Sequence, residues 1–367
     1  MSSEIPKTMK AVQLVGVSEF AAQPTNARLT DSQWKKPYEL HEIPVPDIGD
    51  SDLLVKADAA GFCHTDYQVW EGVYESPTPI VPSHEPVGTI VAVGPKVQDK
   101  WKVGQRIGAL LFRHQCHSCL SCKVNNDIRF CENIDFAGLK ADGGMAEYFI
   151  ADGNNSVLLP DEVDFVNAAP LMCAGATTWA AIESSGVQPG APIGIVGIGG
   201  LGSLAVQFAK ALGHPTVAVD NREEGRALAQ ETPLKADFVV DFNDKEVTNK
   251  IKEWAGNGGL PAIVITTDNN DATNWALSTL RPHGVAVPLG LPMPNVQFDS
   301  FALVFQELTI KGSVVSTKEQ AAAMMKAVAK HGVRSHVTTI PLEKVPEVLP
   351  GAYLDPRLKG RLVVKIS

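Results

Sequence analysis

The chain has 367 residues, 44% of them hydrophobic and 20% charged, with a formal net charge of −9. That length exceeds one ordinary core and predicts two domains. An acidic balance without a Lys/Arg-rich run argues against a nucleic-acid surface, and no apolar run is long enough to span a bilayer. Met1–Lys7 carry no apolar leader-like run, so the expected location is cytoplasmic. Thiols stay reduced there, and clustered cysteines favour metal over disulfide.

Met9–Val15 read as a first strand, and residues 16–37 as an irregular polar excursion. A strand over Asp52–Ala60 ends at Gly61, a short helix is expected over His64–Gly72, and a β-rich run spans Val87–Val93. A turn and strand follow at 103–112. Short strands with Gly/Pro turns predict a β-barrel-like or partly open sheet for the first 160 or so residues. Beyond Pro160 the pattern turns helical, from Asp164 through Ser185 with Cys173 inside it. A buried strand at Pro192–Val196 then leads into a Gly-rich turn and a helix, and Thr216–Val219 ends at Asp220. Helices at 223–231, 245–254 and 270–280 alternate with strands at 237–241, 262–267, 284–289 and 308–314. Such alternation predicts an α/β doubly wound parallel sheet. A helix at 318–330 and strands at 337–340 and 361–366 are expected to return to the first domain.

Six cysteines fall into a compact group of four and a distant pair. Cys116, Cys119 and Cys122 form two overlapping C-x2-C units, and Cys131 follows after eight residues. Four thiolates at this spacing suit a tetrahedral ion. An iron–sulfur cluster also takes four cysteines, but its bacterial spacing is tighter and carries Pro after the last one. Here Glu132 follows, which favours structural zinc. The other two, Cys63 and Cys173, combine with His84 into a two-thiolate, one-imidazole set that leaves a position open, as a catalytic zinc site requires. The plain alternative is three separate buried side chains.

Gly197, Gly199 and Gly202 form G-x-G-x-x-G between an apolar strand and a helix, with Gly200 and Leu201 inside the turn. Glycines let the backbone approach a pyrophosphate, and the helix N-terminus stabilises its charge. Asp220 would accept the ribose hydroxyls and repel a 2′-phosphate, favouring NAD over NADP, while the nearby Arg222 works against that preference.

Taken together, G-F-C-H-T-D at 61–66, H-E-x-x-G at 84–88, the four-cysteine lobe, C-A-G at 173–175, the Gly-rich turn and G-R-L-V-V at 360–364 resemble the zinc-dependent alcohol dehydrogenases of the medium-chain dehydrogenase/reductase superfamily, particularly the yeast and bacterial type. The motifs span nearly the whole chain in the family's order. The resemblance implies a GroES-like, β-rich catalytic domain (1–170 and 317–367, with a zinc lobe at about 113–133) split around a Rossmann domain (171–316). It also implies NAD, two zinc ions per chain, a small alcohol or aldehyde substrate, and a homodimer or homotetramer. Cys63, His84 and Cys173 correspond to the catalytic zinc ligands, and Glu85 to a carboxylate able to replace the substrate oxygen on the metal. Thr65 corresponds to the hydroxyl that takes the substrate proton; His64 and Arg361 correspond to groups at the cofactor phosphates.

Three departures stand out. The lobe spacer is one residue longer than usual, Ser83 and Pro86 flank His84-Glu85 where small residues are common, and Glu71 stands where yeast-type members carry a relay histidine. Glu71 would end a proton relay from Thr65, or is simply a solvated charge. Two other functions remain open: a zinc-free quinone or enone reductase of the same superfamily, and a non-catalytic NAD(H)-binding zinc protein.

Overall fold

The structure, a computed structural model, describes residues 5–15, 38–292, 295–349, 351–355 and 357–367. The excursion expected at 16–37 lies outside these residues. Two compact units emerge: Met1–Cys173 with Val337–Ser367, and Ala174–His336. The return to the first unit therefore comes at 337, not 317. The helix Lys318–His331 stays in the second unit and buries Ala321, Met324, Met325 and Val328 there.

In the first unit, β1 (Thr8–Leu14) pairs antiparallel with β2 (Tyr38–Pro44). Strand β3 (Asp52–Phe62) is the axis of a seven-stranded sheet. On one edge it pairs with β4 (Glu85–Val93), which leads to β5 (Arg106–Ala109). A separate two-stranded ribbon joins β6 (Phe112–Arg113) and β7 (Asp135–Phe136). Strand β8 (Tyr148–Asp152) pairs with the first half of β3, and β9 (Ser156–Leu158) closes on β5. Small residues dominate the second half of β3, where Ala57, Ala59 and Ala60 are almost wholly buried. Register shifts at Leu54/Val55 and Ala57/Ala59 bend the strand.

The second unit is built as the apolar runs predict. A six-stranded parallel sheet has the order β12-β11-β10-β13-β14-β15, with β10 (Ile193–Val196), β11 (Thr216–Asp220), β12 (Phe238–Asp241), β13 (Leu260–Ile265), β14 (Leu280–Pro288) and β15 (Thr309–Ile310). Every residue of β10, β11 and β13 is buried, as expected of strands covered on both faces. The strand expected at 308–314 is real but shorter, because it is the last in the sheet and pairs only with β14. Strands β16 (Val337–Pro341) and β17 (Arg361–Lys365) belong to the first unit, where β17 lies between β16 and the second half of β3. Among the described residues no single helix is long and apolar enough to cross a membrane.

Helical periodicity at 164–185 predicts one helix; the chain instead breaks at Cys173. A short helix, Phe165–Ala168, tightens over Ala169–Met172, and a new helix starts at Ala174. Pro170 lacks the N–H that an uninterrupted helix would use. Cys173 itself sits outside helical geometry at φ −126°, ψ −68°.

Candidate active site

The sulfur atoms of Cys63 and Cys173, a ring nitrogen of His84 and a carboxylate oxygen of Glu85 lie within 4.8 Å of one another, all in the first unit. Cys63 follows β3 and caps the helix His64–Trp70; His84 and Glu85 sit where β4 begins. Ser83 holds the two strand ends in register. Its hydroxyl donates to the Gly61 carbonyl at 2.7 Å and accepts the Glu85 N–H at 3.3 Å. Its backbone is in the left-handed region, φ 76°, a conformation that glycine adopts at least cost. Gly61 is obligatory for a different reason: a Cβ there would stand 1.9 Å from a Glu85 oxygen.

Asp66 organises the cluster, and the sequence reading missed it as a functional residue. It is 1% exposed, accepts the Cys63 N–H at 2.9 Å, and accepts from His84 Nδ1 at 2.9 Å. A carboxylate on Nδ1 fixes the imidazole tautomer and leaves Nε2 for a metal. Only the three-residue spacing from Cys63 hinted at this, as a capping-box acid. The contact with His84, eighteen residues away, is tertiary.

The charges fit a divalent cation. Cys63, Cys173, Glu85 and Asp66 are four acids converging on a volume that also holds the buried cation Arg361, its guanidinium donating to Glu85 Oε1. Glu85 Oε2 is buried without a partner. Burial pushes the Glu85 carboxyl up to about 7, against the pull of Arg361. The Cys63 thiol is held well below its ordinary value, first by a hydrogen bond from Cys173, whose own pKa that bond raises. Burial opposes charge on His84, yet its contacts with Asp66 and Cys63 together raise the pKa. So many buried acids are costly unless a metal compensates them, and two thiolates with one imidazole are a zinc donor set.

Arg361, which the resemblance assigns to the cofactor phosphates, is 5% exposed and engaged with Glu85, and its Nε is buried without a partner. His64 Nδ1 is 3.0 Å from the Tyr353 hydroxyl, and Thr65 follows it in the same helical turn. Glu71 caps the far end of that helix. Six positions on, it lies about 120° around the helix from Thr65, so the two do not share a face. A proton relay from Thr65 that ends at Glu71 would therefore need intervening groups. Gln68, at i+3, shares Thr65's face instead and accepts from the Tyr74 hydroxyl at 3.3 Å.

The four lobe cysteines also converge within 4.8 Å, so the longer spacer still closes the lobe. A left-handed Asn126 and a single tight turn at Ile128–Phe130 take up the extra length. Cys116 receives N–H groups from Ser118 and Cys119, and the Ser118 contacts lead in holding its pKa down near about 5. Burial leads in raising Cys122 to about 11. Beside the lobe, His114 is clamped between Asp52 (2.9 Å) and Asp135 (2.7 Å), and the Asp52 bond leads in raising its pKa to about 9. A folded value above the unfolded one, about 6.5, stabilises the fold fully below pH 6.5 or so and ceases to do so as pH rises through about 9. The wild-type urea midpoint should therefore fall between pH 6.5 and 9.5 more than that of His114→Gln. With His114 partly exposed, the difference should stay under about 1 kcal/mol; parallel curves would refute it.

In the second unit the Gly-rich turn joins β10 to the helix Gly202–Ala211, with Leu201 as its cap. A Cβ on Gly202 would lie 2.0 Å from the Gly197 carbonyl oxygen, so only glycine closes this turn. Gly197, Gly199, Gly200, Leu201 and Gly202 come together with Asp220, whose carboxylate accepts the Ile198 N–H at 2.6 Å, and with Arg222. That is the arrangement the sequence predicts.

Comparison with known proteins agrees. The family model for the alcohol dehydrogenase GroES-like domain matches residues 49–161, and that for the zinc-binding dehydrogenase domain matches 200–330. An alcohol dehydrogenase of Geobacillus stearothermophilus is 37% identical over 91% of this chain and 98% of its own length. Alcohol dehydrogenase 1 of Caenorhabditis elegans is 32% identical over 94% and 98%. The acetophenone reductase of Geotrichum candidum in complex with NAD superimposes with a TM-score of 0.80 at 27% identity, covering 99% of each chain. The alcohol dehydrogenase of Aeropyrum pernix gives 0.81 at 26%, over 97% and 100%. With relatives this similar along almost its whole length, and with both cysteine clusters assembled, the chain belongs to the zinc-containing alcohol dehydrogenases of the medium-chain dehydrogenase/reductase superfamily.

Proposed function

We propose that this enzyme, of the yeast and bacterial type, reversibly oxidises an alcohol to an aldehyde or ketone with NAD, at a centre held by Cys63, His84 and Cys173. The observation that carries the reading is the buried acid cluster with Asp66 fixing His84. When bound, zinc supplies Lewis-acid polarisation of the alcohol oxygen and NAD the acceptor for hydride. The chain's own part is to orient and to move a proton. Thr65, whose hydroxyl both accepts and donates, takes the alcohol proton. Glu85 is an alternative metal ligand held back by Arg361. His64 and Arg361 serve the dinucleotide pyrophosphate, and the Gly197–Gly202 turn binds it in the second unit. Zinc in the Cys116–Cys131 lobe is structural.

Residues 1–173 and 337–367 would then be the catalytic domain, and 174–336 the Rossmann domain. Self-association as a homodimer or homotetramer is supported by the helix Ser300–Phe305, which exposes Phe301, Val304 and Phe305. Six unpaired cysteines support a reducing, cytoplasmic setting.

The test is NADH formation against aliphatic, allylic, benzylic and polyol alcohols, alongside metal analysis. Two zinc ions per chain with turnover of at least one class are expected from the two clusters. One zinc ion and no turnover would point to the non-catalytic protein or the zinc-free reductase.

A further inference from the structure

Asp220 and Arg222 stand together at the end of β11, and they make opposite demands on a dinucleotide. The Asp220 carboxylate is 5% exposed, and each oxygen already takes a backbone N–H, from Ile198 at 2.6 Å and Arg222 at 2.8 Å. Two such bonds hold it as a fixed anion, oriented toward the Gly-rich turn. The Arg222 guanidinium folds back onto it, with Nε 3.3 Å from Oδ1 and Nη2 3.3 Å from Oδ2. Both are longer than the 2.7–2.9 Å or so of a strong charge-assisted bond. Arg226, the next cation along, is committed differently: it donates to the Asp220 carbonyl at 3.1 Å and pairs with Asp241 at 3.3 Å. Arg222 Nη2 also lies 3.9 Å from where a Cβ of Gly199 would stand. The guanidinium thus overhangs the turn, half exposed and loosely held.

We propose that Arg222 is a specificity-determining residue that lets this enzyme bind a 2′-phosphorylated dinucleotide beside Asp220. The proposal rests on the dinucleotide reading of the Gly-rich turn. A bare buried carboxylate repels a 2′-phosphate. A guanidinium already on that carboxylate cancels much of its field and needs only a small swing to present its two-pronged fork to the phosphate. NAD remains the better ligand, because its ribose hydroxyls donate to the carboxylate and no second anion enters. The expected phenotype is therefore dual binding with a preference for NAD(H).

Calorimetric titration of purified holoenzyme with NADH and with NADPH reads this directly, without turnover. In Arg222→Gln the ratio of the NADPH to the NADH dissociation constant should rise at least tenfold over wild type. Arg222→Lys, which keeps the charge and loses the fork, should fall between. Added salt should weaken NADPH more than NADH in wild type, and that difference should shrink in Arg222→Gln. An unchanged ratio in Arg222→Gln overturns the proposal, as does a wild type that binds NADH and ignores NADPH. If neither nucleotide binds wild type, the dinucleotide reading itself falls and takes the proposal with it.

Discussion

Cys173→Ala should leave a folded enzyme that carries one zinc ion per chain and turns over at least a thousandfold more slowly. Cys173 is one of only two thiols in the buried cluster, and its partners His84 and Cys63 are fixed by Asp66. They have no freedom to close in on a smaller side chain. Loss of Lewis-acid assistance removes several kcal/mol of transition-state stabilisation, and each 1.4 kcal/mol or so is tenfold in rate. The lobe cysteines are a separate set and should keep their ion, so metal content falls by half and does not vanish. Retention of two zinc ions, or a loss in kcat below tenfold, would show that Cys173 is not a ligand that matters.

Asp66→Ala should be nearly as damaging without removing any ligand. The change strips His84 Nδ1 and the Cys63 N–H of their common acceptor in a site closed to water. Each buried donor left unpaired costs about 1–3 kcal/mol, and loss of an orienting carboxylate behind a metal-bound histidine weakens metal affinity by about 10–100-fold. Asp66→Asn keeps an acceptor oxygen but not the charge, and should fall between wild type and Asp66→Ala. Competition with a chelator measures this, the lobe zinc serving as an internal reference. Equal zinc retention in wild type and Asp66→Ala would mean that His84 is oriented by packing alone.

Much of this was legible in the chain because the signals are local. Strands β10, β11 and β13 are unbroken apolar runs, and the turn from Gly197 to Gly202 needs glycine for reasons its own backbone supplies. The four-cysteine lobe follows from spacing and donor type. What escaped is what the third dimension decides. Asp66 looks like one more polar residue in a short helix until His84 arrives from another strand. Arg361 was expected only at the cofactor phosphates, and its contact with Glu85 appears once β17 carries it inward. The return at 337 was missed because the helix Lys318–His331 is amphipathic, and that property does not say which sheet it covers.

The placement of β17 bears on how the polypeptide matures. Arg361–Lys365 fill an interior slot between β16 and β3, yet they come after every other strand in chain order. Residues 174–336 emerge and can organise first, while the earlier-made N-terminal half waits with a gap in its sheet. Until residue 361 has been made, Glu85 has no Arg361 to meet it.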